Sequence, residues 1–235
     1  MTSVVALILS GMSTGLKPIH EKNEALYAKK ATLSAVSDHL PIDIKNCTDD
    51  DVQNIFDNQV EQLVIDMEGN QLDAAAVEAL GYIGGQAENV DMAKEAKKPE
   101  SDRVLPVFVY TKEGGEKFYI LSTRGKGLWD AIWANVALQS DLNTIAGVAF
   151  DHKGETPGLG AEIKDNIAWK NQFTGKQIYG ADGTYRSVFV RKGGAKDDTH
   201  EVDGISGATI TADGVTEMLE RGLKYYEPYL NTVKG

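Results

Sequence analysis

Hydroxyl groups set on bare backbone are the first candidates for chemistry in this chain. The stretch DGISGATIT, Asp203 to Thr211, holds three hydroxyls, two glycines and an alanine behind one acid. Such small residues leave room for another molecule beside Thr209. Two further glycine-marked segments are RGKGLWD (124–130) and HKGETPGLGAEI (152–163). Each alone is ordinary turn chemistry in a chain with 24 glycines. Together they read as walls of one cofactor pocket. Glycine permits close backbone approach, and the free N–H groups of such loops cradle phosphate. Thr156, Gly158, Leu159 and Gly160 make one wall, and Gly125, Lys126, Gly127, Leu128 and Trp129 the next. Ser206, Gly207 and Ala208 line the approach to Thr209. Pro157 fixes a turn that shows a hydroxyl beside free N–H groups, while Trp129 and Leu159 offer apolar surface to a flat ring.

Other chemistries find no support. His20, His39, His152 and His200 lie far apart and show no metal-ligand spacing, so no metal site is expected. RGKGLW is too short for a phosphate-binding Walker loop, and its lysine precedes the second glycine. No G-x-G-x-x-G opens a helix after a strand, so binding of NADH by this chain is not expected. A G-x-S-x-G hydrolase elbow is absent. The lone Cys47 can form no internal disulfide and reads as structural. With 35 acids against 24 bases the net charge is −11, which argues against nucleic acid and against docking on anionic lipid by charge.

The elements that must position these loops follow from periodicity. Ser3 to Leu16 is uncharged and apolar but shorter than the roughly 20 residues of a spanning helix. It reads as the outer part of a membrane helix that begins before Met1, with a short amphipathic or buried helix as the alternative. His20 to Leu40 continues as a stalk helix, Leu26, Leu33 and Val36 on one face, stopped near Pro41. Thr48 caps the next helix, with three acids in its first turn. QLVIDMEGNQL is a strand and turn; residues 81–102 are a loop or insertion; VLPVFVYT and KFYILST flank KEGGE as a hairpin. In LWDAIWANVAL the apolar spacing of Trp129, Ile132, Trp133 and Val136 suits a helix or a dense strand. TIAGVAFDHKG and YRSVFVRKGG add strands. The last helix starts at Asp213 as N-cap, with Val215, Met218, Leu219 and Leu223 on one face and Thr211 helping to start it. The sum is an α+β fold, an antiparallel β-sheet with peripheral helices. The division is 1–18, the outer part of a membrane anchor; 19–47, the stalk; and 48–235, the cofactor domain.

DGISGATIT matches the flavinylation pattern D-x-x-[S/T]-G-A-[T/S] and so resembles the FMN-binding domains of respiratory membrane complexes. GETPGLGAEI, GKGLWDAIW and ALQSDLNTIAGVAF are similar, in the same order, to the C-subunit family of the sodium-translocating NADH:quinone oxidoreductases. The likeness spans most of residues 121–229. The related G subunits of Rnf ferredoxin:NAD oxidoreductases share the pattern and ETPGLG, but GKGLW and SDLNTIAGVAF fit the quinone reductase better. A non-redox scaffold module is the alternative of a different class.

The resemblance implies that Thr209 carries FMN through a phosphoester, attached by a separate flavin transferase, with Asp203 serving recognition or metal contact during transfer. That agrees with the absence of an evident base beside Thr209, since a threonine hydroxyl is a weak nucleophile. Lys126 then offsets phosphate charge, stabilises reduced flavin, or is simply a solvated surface lysine. The implied role is a single-electron relay among the other subunits of the sodium-pumping complex. The domain would lie on the periplasmic side of the bacterial inner membrane on a single-pass anchor. Such a chain has no catalytic residue of its own, and ion translocation belongs to its partners.

Overall fold

The computed structural model describes residues 2–234, with side chains except at 2–4, 6–15, 18 and 21. Helix α1 (Thr2–Ser34) joins the amino-terminal apolar run and the stalk in one unbroken helix. It ends at Ser34, short of Pro41. Thr32 and Ser34 donate their hydroxyls to the carbonyls of Ala28 and Lys30, competing with continuation of the backbone ladder. The chain then turns onto the sheet, where Gly147 makes room for the Ala35 carbonyl. Most side chains of the expected membrane segment lie outside the described residues. Among the described residues, no helix is long and apolar enough to cross a membrane.

Helix α2 (Asp49–Gln59) starts as expected: Thr48 accepts from the Asp51 N–H, and Asp51 accepts in return from the Thr48 N–H. Strands β1 (Val60–Asp66) and β2 (Gln71–Leu72) form a hairpin, followed by α3 (Ala74–Ala79). Residues 81–102 contain one α-helical turn, α4 (Met92–Glu95), and three 3-10 turns, at Ile83–Gly85, Ala87–Asn89 and Glu100–Asp102, and are not a plain loop. They fold over the buried Glu95, which accepts from the Tyr82 hydroxyl, the Val104 N–H and the Lys98 ammonium.

The sheet continues with β3 (Val104–Thr111), β4 (Lys117–Lys126), β5 (Ala131–Leu138) and β6 (Ile145–His152). Its order is β2-β1-β3-β4-β5-β6, antiparallel throughout. LWDAIWANVAL therefore resolves as strand from Ala131 onward. Ile132, Ala134 and Val136 face one core and Ala137 the other. That other core, around Leu33, Phe56, Phe108 and Ile120, lies under α1 and α2. On the first face, after α5 (Glu162–Asp165) and α6 (Ile167–Asn171), comes a small separate parallel pair, β7 (Phe189–Arg191) and β8 (Glu201–Asp203).

Helix α7 (Thr209–Lys224) packs there across β4, with Val215, Met218, Leu219 and Leu223 fully buried; α8 (Glu227–Lys234) closes the chain. Asp213 is not its N-cap. The helix begins four residues earlier, after Gly207 at φ +75°, and the Ala212 N–H already bonds the Ala208 carbonyl. A polar clamp ties α1 to the sheet edge. The Tyr27 hydroxyl donates to Asp151 of β6, and Lys164 bonds both the Tyr27 hydroxyl (3.0 Å) and Asp151 (2.9 Å).

Candidate functional site

The three glycine-marked segments meet at one side chain that the sequence alone does not single out, Glu155. The residue is 5 % exposed. Oε1 accepts from the Trp129 N–H at 2.9 Å, and Oε2 accepts from the Thr211 hydroxyl at 2.6 Å. Its own N–H donates to His152 Nδ1 at 3.1 Å. Gly127 and Gly160 flank it: a Cβ on Gly127 would stand 2.5 Å from Oε1, and one on Gly160 would collide with Oε2. Thr211 thus sits buried in the first turn of α7, and its hydroxyl serves Glu155 rather than the helix end. Further contacts fasten the walls together. The Trp129 indole N–H donates to Thr156 Oγ1 at 3.1 Å, and Gly207 leaves room for the Leu159 side chain.

Two predicted wall residues, Gly125 and Lys126, also make close contact with helix α7. Gly125 lies within β4, opposite Ile132, where a Cβ would press Met218 at 2.6 Å. Lys126 is exposed at the strand end, and its carbonyl meets Gly214 of α7. Gly158, at φ +73°, is open on all sides, and Thr156 is exposed.

Thr209 is exposed as the first residue of α7. Ala208, buried at the N-cap, offers no side-chain acceptor, so the helix's first N–H groups have no side-chain cap. A recess of about 470 Å³ opens beside the hydroxyl, lined among others by Lys192, Gly193, Gly194, Asp203, Ser206 and Asp213. A second hollow, of about 420 Å³, adjoins it across Asp203 to Ser206 and reaches Gly158, Glu162 and Trp169.

Asp203 also has structural work. Its Oδ1 accepts from the Ala195 N–H at 2.8 Å, shaping the 191–195 turn, and its carbonyl accepts from the Trp169 indole at 2.7 Å. On the same three glycine-marked segments four large apolar side chains stand in solvent: Trp129 66 %, Ile210 57 %, Leu128 43 % and Leu159 41 % exposed.

The charges behind these segments are settled by neighbours. Burial pushes the Asp151 carboxyl up, but hydrogen bonds from Tyr27, Lys164 and the His152 N–H outweigh it and hold the group below the usual carboxylate range. Burial pulls the Lys164 ammonium down, yet Tyr27 and Asp151 together raise it well above its ordinary value. This ionised cluster anchors the strand that leads into Glu155.

The FMN-binding domain family matches residues 127–224, which takes in the second and third loops whole and the first from Gly127 onward. The C subunit of the Na(+)-translocating NADH-quinone reductase of Pseudomonas aeruginosa is 32 % identical over 236 residues, covering 92 % of this chain and 85 % of that one. Its counterpart from Neisseria meningitidis serogroup A is 33 % identical over 245 residues, covering 99 % and 90 %. Among solved structures, the C subunit from Parabacteroides distasonis superposes with a TM-score of 0.76 at 32 % identity, covering 92 % of this chain and 96 % of that one. Shewanella oneidensis NqrC gives 0.72 at 26 % identity, covering 92 % and 99 %.

Proposed function

Because the chain belongs to the family of Na(+)-translocating NADH-quinone reductase C subunits, we propose that it is an electron-carrying flavoprotein subunit of such a complex, with FMN esterified to Thr209. The observation that carries the tether is the exposed Thr209 hydroxyl on a helix start with no side-chain cap, beside an open recess. The residues fit the group. First-turn N–H groups without a side-chain cap and the positive end of the helix dipole suit a phosphate, and Lys192 lines the same recess. Leu128, Trp129, Leu159 and Ile210 offer apolar surface for a ring. Bound there, FMN supplies reversible one- and two-electron redox chemistry.

The chain's own residues bind and orient. Thr209 Oγ1 has no hydrogen bond to a base among the described residues, so its esterification calls for an external flavin transferase. Asp203 and Asp213 line the recess and would repel a bare phosphate, which suits delivery together with a divalent cation. A chain loaded in this way would relay electrons between neighbouring subunits and turn over nothing alone. Helix α1 would be the stalk and the outer part of an anchor, with 48–235 on the periplasmic side of the inner membrane; the continuity of the helix from Thr2 to Ser34 supports the stalk.

Co-expression with a flavin transferase should add the mass of one FMN less one water, with flavin fluorescence surviving a denaturing gel. Thr209→Ala should abolish both. Covalent flavin on that variant would sink the assignment.

A further inference from the structure

Among the walls of the flavin site, Glu155 stands apart. It is a buried carboxylate, and among the described residues it has no ion pair. A carboxylate taken from water without a cation is costly and persists only where its oxygens are well satisfied. Here one backbone N–H and one hydroxyl satisfy it, and they come from two different segments, 26 and 56 residues away. A Cβ on either flanking glycine, Gly127 or Gly160, would run into its carboxylate, so the two bare positions are what make room for this side chain. Thr211, which donates to it, lies two residues after Thr209 in the first turn of α7, on the buried side of the helix.

We propose that Glu155 is the positioning residue of the flavin site: it joins the 127–129 turn and the 155–160 loop to the first turn of α7, and its uncompensated negative charge disfavours reduction of the flavin held there. The proposal rests on the FMN reading above. Two consequences separate its parts. The clamp is a matter of shape and acceptors. Removing the side chain leaves the Trp129 N–H and the buried Thr211 hydroxyl without partners, which loosens the two loops from the helix start. The charge is a matter of electrostatics. A fixed negative group in a water-poor setting opposes the addition of electrons next to it, and a neutral group of the same shape does not.

The test uses the full chain co-expressed with a flavin transferase, as wild type, Glu155→Gln and Glu155→Ala. Three quantities are read: flavinylated fraction by intact mass, melting temperature, and flavin midpoint potential by spectroelectrochemical titration. Glu155→Gln keeps the shape and one acceptor oxygen. It should stay largely flavinylated, with a midpoint potential shifted upward, so that the reduced-to-oxidised ratio at a fixed applied potential rises several-fold. Glu155→Ala should melt lower and carry a severalfold smaller flavinylated fraction, and Gln should restore most of that loss relative to Ala. Thr211→Val, which removes only the hydroxyl donor, should fall between wild type and Ala in flavinylated fraction.

A Gln variant with an unmoved or lowered potential overturns the electrostatic part. An Ala variant, or a Thr211→Val variant, flavinylated like wild type overturns the clamp. Wild type that takes up no flavin overturns the FMN reading itself, and the proposal with it.

Discussion

Replacing Gly214 by alanine sets two magnitudes against each other. Gly214 sits inside α7 and is buried against the end of β4. In an isolated helix the change stabilises by about 1 kcal/mol, because glycine loses more backbone freedom on folding. Here the added Cβ would approach the Lys126 carbonyl oxygen well under 3.0 Å, with the Lys126 carbonyl carbon at 3.2 Å and the Gly127 Cα at 3.5 Å. These are backbone atoms and cannot swing aside. Lys126 is held in the ladder opposite Ala131, and the Gly127 N–H donates to the Asp130 carbonyl at 2.8 Å.

The helix must therefore lift, although Val215, Met218 and Leu219 beside it are packed without a gap at 0–1 % exposure. Overpacking of this kind costs about 1–3 kcal/mol, and a rigid backbone obstacle puts it at the upper end. The net expectation is a loss of about 1–2 kcal/mol, or a melting temperature lower by about 2–8 °C for a domain of this size. Scanning calorimetry measures it directly. Gly154→Ala, at a glycine with nothing within 4 Å and no left-handed φ, is the control. It should be neutral or stabilise by about 0.4–1 kcal/mol. If Gly214→Ala melts higher by the 2–4 °C that about 1 kcal/mol of helix propensity predicts, the close approach of α7 to β4 is refuted.

Three further changes have defined outcomes. Thr48→Ala removes the capping box of α2 and should cost about 1 kcal/mol in chemical denaturation, with an unchanged denaturant slope. Leu219→Ala empties a fully buried position between α7 and the sheet and should cost about 2–5 kcal/mol. Because the folded Asp151 carboxyl lies below its unfolded value, its contribution is present above the unfolded pKa and is lost as pH falls through the folded one. Asp151→Asn should accordingly melt lower at neutral pH but lose stability less steeply than wild type on acidification below about pH 4. Parallel acid melts of the two proteins would contradict this.

Local signals were legible where one element decides its own form. The capping box at Thr48 and the apolar face of Val215, Met218, Leu219 and Leu223 needed nothing but neighbours in sequence. LWDAIWANVAL stayed open between helix and strand because Ile132, Trp133 and Val136 satisfy helical spacing, while the small Ala134 hides the strand alternation. Pairing with β4 decides it, and that pairing is nonlocal. Asp213 offered a favourable capping side chain, yet the helix starts at Thr209, where the left-handed Gly207 and the bond from Thr211 to Glu155 direct the chain.

The glycine loops do lie together, but the purpose of their glycines was not readable. A missing Cβ says that something comes close without saying what. At Gly125 it is Met218, and at Gly127 and Gly160 it is Glu155. Glu155 itself was invisible as a hub because both its side-chain donors come from distant segments.

The clamp of Tyr27 on Asp151 and Lys164 makes α1 a screw thread for the rest of the molecule. Whatever holds the first half of the helix, each residue added between Leu16 and Tyr27 advances the domain by about 1.5 Å and turns it by about 100°. One extra residue would swing the Thr209 recess to a different side of the helix axis. Three or four would bring it back to nearly the same bearing, displaced by about 5 Å. Azimuth and reach can thus be varied separately, by insertions far from the site.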